Sequence, residues 1–229
     1  MTKTKGEISQ YGQQSVSPDH DILQAFEADL TRAQSTGLRL LSLSVGESAR
    51  LYCAGSFAHL TAMVYKHEVY DPDSQSFQVS ALCAQRMDNQ PCRWCDEYDI
   101  HLMNGGQGRY AKEAKRYEPK RFFLYPVFAI AESQSGREGT WRVIAGQARH
   151  PVLSFLYSAE RESGIEGQWY RVTRTAQKGE GRYIIVPARS EPAPSTMGEI
   201  PQKDEIIALA RLLWPPVSSL MTDDEGADS

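Results

Sequence analysis

The chain of 229 residues lacks several patterns that would assign a protein to a large class at once. No stretch approaches the roughly 18 to 20 consecutive apolar residues that a membrane span needs, and the start, MTKTKGEISQ, lacks the apolar segment of a secretory signal. Neither a P-loop nor a GxGxxG motif is present, which argues against a nucleotide-binding enzyme. We therefore expect a cytoplasmic protein that does not enter a membrane.

The composition and the distribution of charge narrow the class further. A chain with 41% hydrophobic and 24% charged residues is neither collagen-like, nor a coiled coil, nor fully disordered. The net charge of -4 is unevenly distributed: residues 1–37 carry -2, residues 38–189 carry +4, and residues 190–229 carry -6. The middle of the chain is therefore basic enough to meet a polyanion, and the acidity lies mainly at the C-terminal end.

Short alternating apolar runs predict a mostly β core between residues 38 and 189. The runs are LRLLSLSV, ARLYCA, HLTAMVYKHEVY, FQVSALCA, FFLYPVFAIA, TWRVIAG, QWYRVTRTA and RYIIVPA. The segment RHPVLSFLYSAERESG interrupts them with a helical pattern, and a helix among about five barrel strands fits an OB-fold barrel. Outside the core we expect a flexible arm with a short helix at 1–37, and a Pro-rich linker, a helix and an acidic tail at 190–229.

Three of the four cysteines form a pattern typical of a metal site. Cys92 and Cys95 make a CxxC knuckle, which lets two thiolates from one turn bind the same tetrahedral ion, and Cys83 precedes them. His67 ends the strand TAMVYKH, and turn residues then lead to the strand FQVSALC, so a hairpin would bring His67 beside Cys83. We predict a closed set of four ligands for a structural Zn²⁺, namely His67, Cys83, Cys92 and Cys95.

Two alternatives to this ligand set remain open. The CxxC could be a redox pair or carry free thiols, and His59, which also precedes Cys83, could supply the fourth ligand. Cys53 stands alone on the predicted strand ARLYCA and is most simply a core residue.

Cations and aromatic residues are interleaved in the run RYAKEAKRYEPKRFFLY and recur on two later strands. Single-stranded nucleic acid needs both types of residue, because its phosphates require a cationic groove and its unpaired bases stack on aromatic rings. The residues that we predict to contact nucleic acid are Arg109, Tyr110, Lys112, Lys115, Arg116, Tyr117, Lys120, Arg121, Phe122, Phe123, Trp141, Arg142, Trp169, Tyr170, Arg171 and Arg174.

A purely structural role for the same residues is the alternative. The aromatic side chains could fill a barrel while the cations form a solvated rim, and Arg109 to Arg121 could be an amphipathic helix that Pro119 ends. On the strand QWYRVTR, alternate residues point to opposite faces, so one of its two faces must belong to the core.

The order of these features resembles the zinc-containing single-stranded DNA-binding proteins of phages, the T-even helix-destabilising type. The matching features are His67, Cys83, the segment PCRWC at 91–95, the basic segment KRYEPKR at 115–121, and the aromatic-led strand FFLYPVFAI at 122–130. The resemblance implies an OB fold with an inserted zinc lobe at about 67–120 and a DNA cleft between the two. It also implies a non-catalytic, sequence-tolerant role in phage or mobile-element DNA replication or recombination. The acidic end MTDDEGADS would then recruit replication or recombination proteins.

Two other functions remain as alternatives. The chain could be a zinc-stapled OB adaptor that binds RNA or a protein partner. It could also be an enzyme, either a Cys/His hydrolase or a zinc-dependent deaminase, because PCRWC matches half of the deaminase signature. The other half is missing, since His67 and Glu68 are adjacent and lack the spacer of HxE.

Overall fold

The computed structural model describes residues 37–71, 76–103, 109–132, 139–176, 182–189 and 191–216. The predicted N-terminal arm and its helix, and the acidic tail from residue 217 onward, lie outside these residues. Within the described part, no helix has both the length and the apolar character needed to cross a membrane.

The strands and helices follow the predicted apolar runs closely. The strands are β1 Arg39–Leu40, β2 Ser48–Tyr52, β3 Ala62–Asp71, β4 Ser76–Leu82, β5 Lys120–Ala131, β6 Thr140–Gly146, β7 Trp169–Arg174 and β8 Tyr183–Pro187. The helices are α1 Phe57–Leu60, α2 Ala84–Asp88, α3 Arg93–Met103, α4 Arg109–Tyr117, α5 Pro151–Ser163 and α6 Lys203–Leu213. The β-based fold that the sequence predicts is confirmed at this level, with smaller helices around one mixed sheet.

The eight strands form a single sheet in which β5 is the central member. The order is β1-β6-β5-β2-β7-β8, and β3 branches from β5 and pairs with β4. The first half of β5 pairs with β3 and the second half with β2, while β6 pairs along its other edge. All these pairs are antiparallel except β1 with β6. Because β5 is covered on both faces from Leu124 to Ala129, its sequence is continuously apolar rather than alternating.

The main core lies between one face of the sheet and helix α5. Leu51, Tyr125 and Val127 project from β2 and β5 against Val152 and Leu156 of the helix, and all five are buried. Pro151 occupies the first turn of α5, where its missing N–H costs no helical hydrogen bond. The described strands do not close into a barrel, because β1 and β8 are not paired with each other. Side chains of β8 nevertheless pack against the main core, so the sheet curves around it.

The opposite face of the sheet is covered by the C-terminal part of the chain. Helix α6 buries Ile206 and Leu209 against Phe122 and Leu124 of β5, and Gln202 and Glu205 form a capping box at its start. The segment 191–200, which we call the strap, precedes α6 and lies near a second group of side chains on this face. That group consists of Tyr52, Phe128 and Trp169, with Trp141 packed against it.

Candidate metal centre and basic surface

The hairpin of β3 and β4 brings His67 and Cys83 together. His67 is paired with Ala81 across the two strands, and Lys66 is paired with Leu82. Cys83 follows immediately, and its N–H donates to the carbonyl oxygen of Tyr65 at 2.9 Å. The hairpin that the sequence predicts is therefore confirmed, and its register sets the position of two candidate ligands.

The other two candidate ligands come from the start of helix α3. The N–H groups of Cys95 and Asp96 donate to the carbonyl oxygen of Cys92, at 2.9 and 3.1 Å. This first helical turn places both thiols of the CxxC on one side. Cys83 is fixed in a similar way at the start of α2, where its sulfur accepts from the N–H of Arg86 at 3.4 Å.

The four side chains converge with a geometry that suits a tetrahedral ion. The Nε2 atom of His67 lies 3.4 Å from the sulfur of Cys92 and 3.7 Å from that of Cys95, and the sulfurs of Cys83 and Cys95 are 3.4 Å apart. All four ligand atoms lie within 4.8 Å of one another, and all four residues are buried. Zn–S and Zn–N bonds of about 2.3 and 2.0 Å give tetrahedral edges of about 3.5 to 3.8 Å. These residues can therefore hold a metal ion such as zinc.

A hydrogen bond outside the cluster orients the imidazole of His67. Its Nδ1 atom lies 2.7 Å from the carbonyl oxygen of Tyr117, an acceptor at the end of α4. A carbonyl oxygen can only accept, so Nδ1 carries the proton and Nε2 presents its lone pair to the three sulfurs. Metal-binding histidines in proteins are commonly held by a second hydrogen bond of this kind.

The thiols differ in acidity because they share hydrogen bonds in a buried space. A hydrogen bond from Cys83, with further help from His67, lowers the pKa of Cys92 to about 3. Burial raises the pKa of Cys95 to about 11, and the hydrogen bond to Cys92 together with burial raises that of Cys83. Thiolates are the metal-binding form, so binding of a divalent ion would release protons from the thiols whose pKa values are raised.

The structure favours His67 over His59 as the fourth ligand. His59 lies on α1, is exposed, and does not belong to the converging group. Cys53 is fully buried in the main core, where burial raises its pKa to about 12. The cysteines are all free thiols in the structure. The interpretation of Cys53 as a core residue agrees with this position.

No protein-family model matches the chain, and no curated protein matches its sequence.

The basic run divides between helix α4 and the start of β5. Helix α4 ends at Tyr117, just before Glu118 and Pro119, as expected if proline stops it. The side chains of Arg109, Tyr110 and Lys112 lie outside the described residues. Lys115 is exposed, Arg116 forms an ion pair with Glu113 at 2.9 Å, and Lys120 is half-buried.

One face of β3 and β5 gathers cations and aromatic rings beside the metal cluster. Met63 is paired with Phe123 and Tyr65 with Arg121, and the guanidinium of Arg86 lies 5.9 Å from the centre of the Tyr65 ring. We call these five residues the junction surface. Arg86, Arg121 and Met63 are exposed, and the two rings are half-buried. Met63, Tyr65 and Arg86 are not among the residues predicted from the sequence, although Met63, Tyr65 and His67 alternate along β3 onto one face.

Several aromatic residues predicted to stack on bases are buried instead, which corrects the sequence-based prediction for them. Phe122 belongs to the core under α6, and Tyr170 packs edge-on against Phe155 in the main core. Trp169 is 3% exposed beneath the strap. Tyr117 is half-buried in a parallel stack inside the lobe, with His101 at 5.4 Å and Trp94 at 6.2 Å. Strands that are covered on both faces bury rings whichever way they point.

The remaining predicted contacts lie on the other strands. Trp141 is half-buried and its indole N–H donates to the carbonyl oxygen of Met197 at 2.8 Å. Arg142 is half-buried, and the guanidinium of Arg174 donates to the carbonyl oxygen of Leu43. Arg171 is exposed and pairs with Glu132 at 2.6 Å. Strand β6 lies along the other edge of β5, and strand β7 lies beyond β2. These residues therefore do not adjoin the junction surface.

Proposed function

We propose that this protein binds single-stranded DNA without sequence preference. The observation that carries the proposal is the junction surface, where two exposed cations and two half-buried rings share one face. The surface lies between the sheet and the predicted metal lobe, because β5 runs from the end of α4 into the centre of the sheet. This is the position in which the family resemblance implies a DNA cleft.

The chemistry of the junction surface suits an unpaired strand. Tyr65 packs partly against the cysteine cluster and Phe123 partly against the main core, and we propose that the exposed part of each ring stacks on a base. Such stacking contributes about 1 to 3 kcal/mol per base in single-strand-binding proteins. Arg86 and Arg121 offer guanidinium groups to the phosphates, and no described ion pair uses either of them. Duplex DNA hides its base faces, so this combination favours single strands.

The order of the strands supports an OB-type architecture for the core. Five strands, β2, β5, β6, β7 and β8, pair in the order β6-β5-β2-β7-β8, with helix α5 between the third and the fourth. We propose that they form a partly open OB barrel. The segment between β2 and β5, with β3, β4 and helices α2 to α4, is then an insertion in the first loop of the barrel, a loop that OB folds use for oligonucleotide binding.

The metal site has a structural role in this proposal. Four protein ligands fill a tetrahedral zinc and leave no position for a reactive water. A zinc-dependent deaminase needs such a position, so the four-ligand geometry favours a non-catalytic protein. Zinc would fix the start of α3 to the β3–β4 hairpin, and would thereby hold Tyr65 and Arg86 in place beside β5.

In this proposal the acidic C-terminal end recruits partner proteins. The residues MTDDEGADS carry four acidic groups and no basic one. We propose that they bind replication or recombination proteins of a phage or a mobile element in the host cytoplasm. Their charge also competes with DNA for the cationic surface.

Variants of the junction surface test the proposal. In fluorescence titrations with an oligo-dT of about 16 nucleotides, Phe123→Leu and Arg121→Gln should each weaken binding by about five-fold or more. Arg121→Gln should also make the salt dependence of log K shallower by about 0.7, the contribution of one phosphate contact. The matched control is Arg161→Gln, which removes the same charge from an exposed position on α5. Equal affinity in all four proteins would exclude the junction surface as the DNA site.

A second function, a zinc-stapled adaptor, is favoured by one specific observation. Three apolar side chains at the end of α3 are exposed, namely Ile100, Leu102 and Met103, the last at 84%. Exposed apolar groups of this kind are typical of protein-binding surfaces. Deleting residues 222–229 separates the two functions by the DNA affinity that remains. The DNA-binding protein keeps or gains affinity for oligo-dT, whereas an adaptor that acts through its tail loses its partner and has no DNA affinity to keep.

A further inference from the structure

A second anion site is suggested by two arginines that face each other across β2 and β7. Arg50 and Arg171 are directly paired in the strand register, so their side chains leave the same face of the sheet side by side. Like charges in such a position destabilise a sheet unless anions separate them. Each arginine has a carboxylate partner that comes from outside these two strands. The two arginines are therefore each neutralised by one negatively charged group.

The partner of Arg50 comes from the strap. The carboxylate of Glu191 lies 2.9 Å from the guanidinium of Arg50, while Arg171 pairs with Glu132 just beyond the end of β5. Both glutamates and both arginines line one open groove of about 330 Å³ together with Arg189. The guanidinium of Arg50 also lies 4.7 Å from the centre of the Trp169 ring. An aromatic ring and cationic groups therefore meet in one place.

The strap contacts this face of the sheet through polar groups, and its first residues are exposed. Glu191, Pro192 and Ala193 are exposed, and proline has no N–H with which to join a sheet edge. Two backbone carbonyl oxygens of the strap accept from the neighbouring indoles, that of Glu191 from Trp169 at 3.2 Å and that of Met197 from Trp141 at 2.8 Å. The strap thus presents to this face a carboxylate and a row of acceptor oxygens, the groups that a sugar–phosphate backbone would also present.

We propose that Arg50 and Arg171 form a phosphate-binding subsite for the backbone of single-stranded DNA, and that Glu191 of the strap occupies it when DNA is absent. The inference rests on the proposed function, and it adds a site that is separate from the junction surface. Binding exchanges Glu191 for a phosphate on Arg50. Displacement of the strap would also free the indole N–H groups of Trp141 and Trp169 and uncover Trp169, so the fluorescence of Trp169 should change when DNA binds.

Neutralising the strap carboxylate tests the subsite. In the full chain, Glu191→Gln should bind oligo-dT about two to five times more tightly than the wild type, the range expected when one exposed ion pair no longer competes. The salt dependence of log K should become steeper, because in the wild type salt also weakens the competing ion pair between Arg50 and Glu191 and so offsets part of the loss of phosphate binding. The matched control is Glu199→Gln, which removes the same charge from an exposed strap position that has no ion pair with a described residue.

The arginine itself provides the complementary measurement. Arg50→Gln should weaken oligo-dT binding and make the salt dependence shallower by about 0.7, both in the wild-type background and in Glu191→Gln. Unchanged metal content and melting temperature would show that these substitutions leave the fold intact. The inference is overturned if Glu191→Gln behaves like Glu199→Gln, or if Arg50→Gln binds like the wild type. In that case the proposed function still stands when the wild type binds, whereas an absence of binding in every protein at low salt would overturn both.

Discussion

Removal of the metal should unfold the predicted lobe and leave the rest of the sheet folded. To remove the metal, the zinc-loaded protein is dialysed against a strong chelator at neutral pH. We expect helices α2, α3 and α4 to unfold, since the ligands Cys83, Cys92 and Cys95 begin two of these helices and His67 holds the end of the third through Tyr117.

The expected unfolding of the lobe alone follows from a comparison of the residues buried in the lobe with those buried in the main core. Around the metal ligands, the buried cluster adds only Ala84 to three cysteines, with Tyr65 and Trp94 partly buried against it. The main core contains fifteen buried residues and includes no predicted ligand. A structural zinc contributes about 10 to 16 kcal/mol in zinc-finger peptides, as much as the whole stability of a typical domain. So small an apolar cluster cannot replace that contribution.

Circular dichroism and limited proteolysis measure the outcome. The three lobe helices supply nearly half of the helical residues in the described part of the chain, so the helical signal should fall by nearly half on chelation. Trypsin should then cut within α3 and α4, for example after Arg93 or Lys115, and leave fragments from the sheet resistant. An unchanged helical signal and unchanged protease resistance after complete loss of metal would show that the lobe folds without a metal ion.

Single-residue variants identify the fourth ligand. His67→Ala removes one ligand and leaves the carbonyl oxygen of Tyr117 without its donor. Zinc affinity should therefore fall by more than about 100-fold, beyond the loss typical when only a ligand's hydrogen-bond partner is removed. His59→Ala is the matched control, because His59 is exposed on α1. Zinc bound at full stoichiometry in His67→Ala and lost in His59→Ala would contradict the assignment.

Two further predictions concern His150, which precedes α5, and Cys53 in the main core. Burial, with a smaller effect from Arg182, lowers the pKa of His150 to about 4. In the unfolded chain a histidine has a pKa of about 6.5, so as the pH falls the unfolded chain takes up a proton before the folded protein does. The free energy of unfolding should therefore fall by up to about 3 kcal/mol as the pH drops from about 6.5 to 4. Urea unfolding across that range should show the loss, His150→Gln should flatten it, and an equal slope in both proteins would contradict the assignment. Burial raises the pKa of Cys53 to about 12, so this thiol should resist alkylation at pH 8 in the native protein and react in urea. Rapid native modification of Cys53, read by mass spectrometry, would show that the core around it opens.

Local patterns in the sequence predict much of the fold. The run FFLYPVFAIA corresponds to most of β5, and the helix that begins at Pro151 corresponds to α5. The predicted hairpin also forms, so His67 and Cys83 meet as the spacing indicates. These features depend on neighbouring residues, turn residues and fixed ligand spacing, all of which are visible in one sequence. The barrel closure and the DNA function stay predictions.

The distribution of aromatic residues between core and surface could not be predicted in the same way. Trp169 and Tyr170 lie on opposite faces of β7, and both are buried because the strap covers one face and α5 the other. Helix α6 likewise covers Phe122. Such coverage depends on contacts between segments that are distant in sequence. The same reason kept Arg50 out of the predicted site, since its partner Glu191 is brought to it only by the path of the strap.

The most direct test of the central claim is a tryptophan-fluorescence titration of the zinc-loaded wild type with oligo-dT at increasing salt, beside a duplex of the same length. We predict quenching by the single strand, an apparent affinity that falls steeply with salt, and much weaker binding to the duplex. Equal or tighter binding to the duplex, or no binding of oligo-dT at low salt, would contradict the account.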